Sequence, residues 1–174
     1  MTEMLEIEIK SWCDDLEAVA EGLAAEGAVL SEIRNEVDVY FNHPARNFAE
    51  TDEALRIRSV NGKCRLTYKG PKLSERSKAR VEHETEAGDF NTLKSIIENL
   101  GFTASGIIEK KRSLYKIGDI EICLDAVEGL GTFVEIEKAG LLGTGVEEEL
   151  YRLAAKLGLS RFERRSYLEL KYFP

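Results

Sequence analysis

Long apolar runs, histidine, cysteine, proline and net positive charge are all scarce in this chain, and each scarcity narrows what it can be. No uninterrupted hydrophobic stretch approaches the ~20 residues that a membrane-crossing helix needs, so no membrane span is expected. The N-terminus, Met1-Thr2-Glu3-Met4-Leu5-Glu6, lacks the basic-then-apolar order of a signal peptide, and the expected location is cytoplasmic. Cys13, Cys64 and Cys123 lie far apart with no CxxC pair, which argues against both a disulfide framework and a zinc site. With His43 and His83 as its two histidines, the chain cannot build a multi-histidine metal centre. Any metal would be a hard cation held by carboxylates. Lysine and arginine number 24 against 32 aspartates and glutamates, for a net charge of −8. A general nucleic-acid binder carries a basic surplus or a clustered basic face, so no duplex partner is expected and any basic site is local.

What is present suits a folded domain. The chain has 174 residues, 43% hydrophobic and 32% charged, which fits one domain over 1–174. Apolar stripes at helical spacing predict helices over roughly Asp14–Glu26, from an Asp89 cap to Gly101, and over Val146–Leu157. The rest reads mainly as strands: Met4–Lys10, Ser31–Phe41, Ala54–Val60, Cys64–Lys69, Lys78–Glu86, Gly106–Lys116, Asp119–Asp125 and Thr132–Lys138. Asn61-Gly62, Gly70-Pro71, Gly118-Asp119 and Gly129-Leu130-Gly131 mark turns between them. Asn42-His43-Pro44 also reads as a turn, while His83 should point toward the helices. The order strand, helix, strand, strand, strand occurs twice. The expected fold is α+β: one eight-stranded antiparallel sheet closed into a barrel, with helices packed outside.

Side chains alternate across a strand, so residues two apart share a face. That rule places Glu6, Glu8 and Lys10 together, opposite Ile7 and Ile9. It does the same for Arg56 with Arg58, for Arg65, Thr67 and Lys69, and for Arg80, Glu82 and Glu84. Glu121, Cys123 and Asp125 share a face, as do Glu135 and Glu137. One such strand is ordinary apolar-in, polar-out patterning. The whole set is not, because helices must cover the apolar face and leave the charged faces to meet one another. Like charges two apart repel and need counterions. Carboxylates would find divalent metal, and arginines and lysines would find polyanionic oxygens. That combination describes a metal–polyphosphate site. No GxxxxGK[ST] loop or dinucleotide loop is present, and Gly140-Leu141-Leu142-Gly143-Thr144-Gly145 reads as a loop and helix cap.

Glu6-Ile7-Glu8-Ile9-Lys10 resembles the N-terminal ExExK signature of the CYTH, or triphosphate tunnel metalloenzyme, superfamily. The likeness continues through Val37–Phe41, Ala54–Arg58, Leu66–Pro71, Arg80–Glu82, Lys110–Arg112, Leu124-Asp125 and Phe133–Glu137, in order along nearly the whole chain. Tyr40-Phe41 and Leu66–Pro71 are most similar to the class IV adenylyl cyclase branch. The resemblance implies a tunnel that binds a small-molecule triphosphate, ATP or tripolyphosphate-like, with Mg²⁺ or Mn²⁺. Carried over by position, Glu6, Glu8, Asp125, Glu135 and Glu137 would bind metal, with Glu82 and Glu84 as lesser contributors. Lys10, Arg56, Arg58, Lys69, Arg80, Lys110 and Arg112 would bind substrate. Glu6, Glu8, Lys10, Arg58 and Lys69 would be the catalytic set. Around Lys110 the pattern departs from the rest, since Glu109, Lys111 and Ser113 give that strand no clean apolar face. Three activities stay open: ATP cyclisation to 3′,5′-cyclic AMP and pyrophosphate, hydrolysis of an inorganic, thiamine or nucleoside triphosphate, and binding of polyphosphate or nucleotide without turnover. A homodimer is compatible with all three.

Overall fold

The computed structural model describes residues 4–173. Its strands and helices run β1 (Leu5–Trp12), α1 (Leu16–Ala25), β2 (Val29–Asn42), α2 (Phe48–Thr51), β3 (Ala54–Val60), β4 (Lys63–Lys69), β5 (Glu82–Ala87), α3 (Phe90–Asn99), β6 (Thr103–Ile117), β7 (Ile120–Val127), β8 (Gly131–Gly140), α4 (Val146–Lys156), β9 (Arg161–Phe162) and α5 (Tyr167–Tyr172). All strands join one antiparallel, curled sheet in the order β5-β4-β3-β2-β6-β7-β8-β1-β9. Exchanging β1–β4 with β5–β8 reverses the order of the eight long strands. The two β-α-β-β-β halves are therefore related by a pseudo-two-fold axis between β2 and β6. β9 is a two-residue addition on the edge of β1, beyond the eight strands expected.

The predicted strand Lys78–Glu86 divides. Its second part forms β5 beside β4. Its first part instead bonds to β1: Glu6 N donates to Arg80 O at 3.1 Å, Arg80 N returns to Glu6 O at 3.1 Å, and Lys78 N donates to Glu8 O at 2.8 Å. Gly70 N and Leu73 N bond to the far side of the same segment, at Val81 O and Ala79 O. One short stretch thus draws the two ends of the sheet together.

Local chemistry explains the element boundaries. Asp15 and Asp89 accept from Ala18 N and Thr92 N and start α1 and α3. Asn61 and Gly62 both take positive φ, 49° and 79°, as a two-residue hairpin turn requires. Helices α1 and α4 cover β1, β7 and β8 through Val19, Leu23, Leu150 and Ala154 against Ile7, Ile122 and Ile136. Each such side chain contributes roughly 1.5–3 kcal/mol on burial. Around Ile97, α3 covers Val39, Phe41 and Ile57. The sequence reading missed α5, which plugs one end of the barrel with Tyr167 and Leu170 against Tyr40, Ile108 and Phe133. Gly106 permits this fit, since a Cβ there would lie 2.6 Å from Leu168 and 2.7 Å from Tyr172.

Two expectations need correction. His83 is exposed and stacks on Tyr68 with centroids 6.3 Å apart; no helix covers it. The outer face of β6 is also uncovered, leaving Ile107, Glu109 and Lys111 exposed. That is why the strand lacks a clean apolar stripe. No helix among the described residues is long and apolar enough to cross a membrane.

Candidate functional site

Curling turns the charged strand faces inward around a cavity of about 690 Å³. Of the residues singled out by alternation, Glu6, Glu8, Arg56, Arg58, Lys69, Arg80, Glu82, Glu84, Glu135 and Glu137 border it, and so do Lys110 and Arg112, which only the family resemblance pointed to. Register explains the convergence. Glu8 pairs with Glu137 across β1 and β8, and Glu137 pairs with Glu121 across β8 and β7, giving a row of three glutamates on neighbouring strands.

Lys10 and Asp125 stand behind this wall and are not among its lining residues. Lys10, 2% exposed, donates to the backbone oxygen of Arg165 and lies 4.2 Å from the Tyr167 ring centroid. Burial and the neighbouring Lys78 lower its pKa to about 7. Asp125, fully buried, accepts from Arg112 Nε at 2.7 Å, Arg112 Nη2 at 2.5 Å and the Tyr167 hydroxyl at 2.8 Å. Both of its oxygens are thereby occupied.

Several cavity residues escaped the sequence reading. Arg34 and Asp38 line the cavity and alternate on β2 with Glu36, buried beside them, as plainly as the chosen residues do elsewhere. Lys78 shares parity with Arg80 and Glu82, and Glu121 lay on a recognised face. Tyr167 gave no signal, because the short helix carrying it was not predicted. These residues complete the ion pairing. Asp38 takes a fork from Arg58 at 2.7 and 2.8 Å, and Lys110 Nζ lies 2.8 Å from Glu36 and 3.0 Å from Asp38. Lys78 binds Glu8 and lies 3.7 Å from Glu135, which also takes Arg112 Nη2 at 2.5 Å. Lys69 pairs with Glu82 at 2.6 Å.

Pairing is uneven. Among the described residues, the side chains of Glu6 and Glu137 have no hydrogen bond or ion pair, and neither does the Arg80 guanidinium. The buried Nε of Arg56 also lacks a partner. Burial and Glu8 push the Glu137 carboxyl up to about 8, and burial with Glu82 raises Glu6. One cavity therefore carries carboxylates short of a cation, an unpaired Arg80 guanidinium and, in Arg56, which lies 3.5 Å from Glu84 and 3.8 Å from Asp38, a nitrogen still open.

The model of the CYTH domain family matches residues 4–167. The chain belongs to this family. Among its relatives, a Methanocaldococcus jannaschii protein named as a candidate adenylate cyclase is 42% identical over 173 residues, covering 97% of this chain and 99% of that protein. The adenylate cyclase CyaB of Aeromonas hydrophila is 32% identical over 174 residues, covering 95% and 87%. A solved Pyrococcus horikoshii structure superposes with a TM-score of 0.86 at 38% identity, over 95% of this chain and 97% of its own.

CYTH triphosphate tunnel enzymes are in general divalent-metal dependent and act on triphosphates. The carboxylates here fit such an ion in kind, since hard cations take oxygen ligands and Glu6 and Glu137 lack a cationic partner. Among the described residues, no three acidic, histidine or cysteine side chains converge into a ready-made cage.

Proposed function

We propose that this CYTH chain is a metal-dependent adenylyl cyclase, converting ATP to 3′,5′-cyclic AMP and pyrophosphate. The observation that carries the reading is open charge on facing sides of one cavity: Glu6 and Glu137 without a cation, and Arg80 unpaired beside Arg56 and Arg112, each with a nitrogen left open. A triphosphate bound with a divalent cation satisfies both. A polyanion alone would be repelled by the glutamates, and a cation alone by the arginines. The likeness to proteins named adenylate cyclases supports cyclisation over hydrolysis.

In this reading Glu6, Glu8 and Glu137 hold the cation, with Glu135 adjoining through Lys78. Bound there, Mg²⁺ or Mn²⁺ would supply Lewis acidity toward phosphate and the attacking oxygen. Arg80, the Arg56 Nε and the free Arg112 Nη1 receive phosphate oxygens. Lys69, half-buried and paired with Glu82, can exchange that partner for phosphate. Arg58 and Lys110 hold Glu36 and Asp38 as the fixed frame of the basic wall. In the reaction the ribose 3′-hydroxyl gives its proton to solvent water and its oxygen bonds to the α-phosphorus. The bond from that phosphorus to the β-bridging oxygen breaks, and pyrophosphate leaves. Charge grows on the departing group, where preorganised guanidinium donors are worth most. Asp125 and Lys10 support the wall from behind.

Incubating the protein with ATP and, separately, with tripolyphosphate in Mg²⁺ or Mn²⁺ tests this. Cyclic AMP and pyrophosphate are expected from ATP. ADP and phosphate alone, or tripolyphosphate as the far better substrate, would reassign the chain as a triphosphatase. Tight binding with no product would make it a non-catalytic module.

A further inference from the structure

Helix α5 closes the barrel with apolar contacts, yet its first residue also touches the charged network. Tyr167 is 6% exposed, its ring edge-on to Phe133 at 4.9 Å between centroids. Lys10 Nζ and Lys110 Nζ lie 4.2 and 5.8 Å from that ring's centroid. Its hydroxyl donates at 2.8 Å to Asp125 Oδ2, the oxygen that also accepts from Arg112 Nη2. Arg112 uses Nε and Nη2 on Asp125 and shares Nη2 with Glu135. Its remaining nitrogen, Nη1, has no hydrogen-bond partner among the described residues, and Arg112 borders the cavity.

We infer that Tyr167 is a positioning residue: by fixing the Asp125 carboxylate, it locks the Arg112 guanidinium with Nη1 offered to a phosphate oxygen of the substrate. The Arg112 fork fixes carboxylate and guanidinium relative to each other, but the terminal torsion of an aspartate is broad, so the pair can still turn together. A third donor, anchored on a capped helix, stops that turn. Ser166 and Glu169 form the capping box that fixes where α5 begins, one residue before Tyr167. A planar guanidinium held along one edge presents its free edge in a single direction, and a donor already in place needs no reorganisation when charge develops. The same chain of contacts runs on from Arg112 through Glu135 and Lys78 to Glu8. The C-terminal helix thereby bears on both walls of the site.

This inference rests on Arg112 being a phosphate contact, so its test separates the two. Calorimetric titration with inorganic tripolyphosphate, in EDTA and again in Mg²⁺, is made on the parent chain, Tyr167→Phe, Arg112→Ala and the double variant. Tyr167→Phe keeps the ring and should fold. With Asp125 one donor short, Arg112 is less well placed and binding should weaken about 5-fold. Arg112→Ala should weaken it more, and adding Tyr167→Phe to Arg112→Ala should then change nothing further. Parent-like binding by Tyr167→Phe overturns the inference alone. So does an equal loss with and without Arg112, because the effect would then be packing. Undiminished binding by Arg112→Ala removes the phosphate contact and the inference with it. If Arg112→Ala does not fold, Arg112→Lys takes its place, since it keeps the charge and loses the fork.

Discussion

On the β2–β3–β6 wall of the cavity, Glu36 and Asp38 are each about 1% exposed and enclosed by Arg58 and Lys110. On the β1–β7–β8 wall, Glu8, Glu137 and Glu121 stand in a row, and Glu137 meets no cation among the described residues. Burial pushes the carboxyl pKa upward on both walls. On the first, Lys110 and Arg58 overcome it and hold Glu36 and Asp38 below the ordinary carboxylate range. On the second, burial and Glu8 together carry Glu137 up to about 8. The same residue type is structural where its charge is already answered and available for a ligand where it is not. Breaking the comparison means removing an acid or a cation from one wall and measuring what the other wall would not lose.

The largest effect is expected at Glu8, which shares its wall with the unanswered Glu137 and carries Lys78. Glu8→Gln keeps the shape and removes the charge. Divalent-dependent turnover should fall by orders of magnitude while the fold persists, whichever triphosphate reaction is followed. A folded Glu8→Gln protein with unchanged turnover and unchanged metal dependence would remove the acidic wall from the site.

A second test compares neighbours on β6. Lys110 is 5% exposed between Glu36 and Asp38, while Lys111 lies on the uncovered outer face without an ion pair among the described residues. Lys110→Ala takes one cation from two buried carboxylates that keep Arg58, and should cost about 1–3 kcal/mol of stability. It should also lower kcat/KM by orders of magnitude, since the basic wall loses its frame. Lys111→Ala should change stability within ~0.5 kcal/mol and leave turnover nearly unchanged. Chemical unfolding and steady-state kinetics on both variants decide it, and the reverse ranking would break the register of β6.

How much of this was legible follows from what periodicity encodes. Alternation along β1, β3, β4, β7 and β8 brings most of the charged residues to one interior, because a strand has two faces and the helices claim one. Alternation cannot reveal depth. Glu6 and Lys10 share a face of β1, yet Glu6 is exposed and Lys10 is buried beneath α5, because the plug fills that end of the barrel. Asp125 and Glu135 likewise look equivalent in sequence. Only the arrival of Tyr167 and Arg112 at Asp125 shows that its oxygens are taken. Six-residue α5 presents too little of a helical period to be read, whereas Arg34, Glu36 and Asp38 on β2 alternate clearly and carry the same signal as the other strands. The family resemblance ordered the motifs correctly but could not say which ion pairs were already closed.

The smallest effect is the most direct measure of the difference between the walls. Glu137 titrates near 8 in the folded chain, against the ordinary glutamate value of 4.5. Between those values the folded state holds a proton that the unfolded state has released. Its contribution to stability is therefore full below about pH 4.5 and is lost as pH rises toward 8. Glu36 and Asp38 act in the opposite sense, and their contribution disappears only as pH falls below the ordinary carboxylate range. Lys10, lowered to about 7, adds an opposing slope only above that pH, and Glu6, also raised, adds one of the same sign, so pH 5 to 7 reads the acidic wall. There the metal-free protein should lose at most about 1.4 kcal/mol per pH unit through Glu137, or about 2–4 °C in Tm for each kcal/mol in a chain of this size. Glu137→Gln should flatten that slope. Mg²⁺ or Mn²⁺ binds the ionised carboxylate, so the rise in Tm on adding it should be greater at pH 7 than at pH 5. Thermal unfolding at both pH values, with and without metal, reads every arm. A metal-free slope that survives Glu137→Gln undiminished, or a metal shift equal at both pH values, would show that this wall is no emptier of charge than its partner.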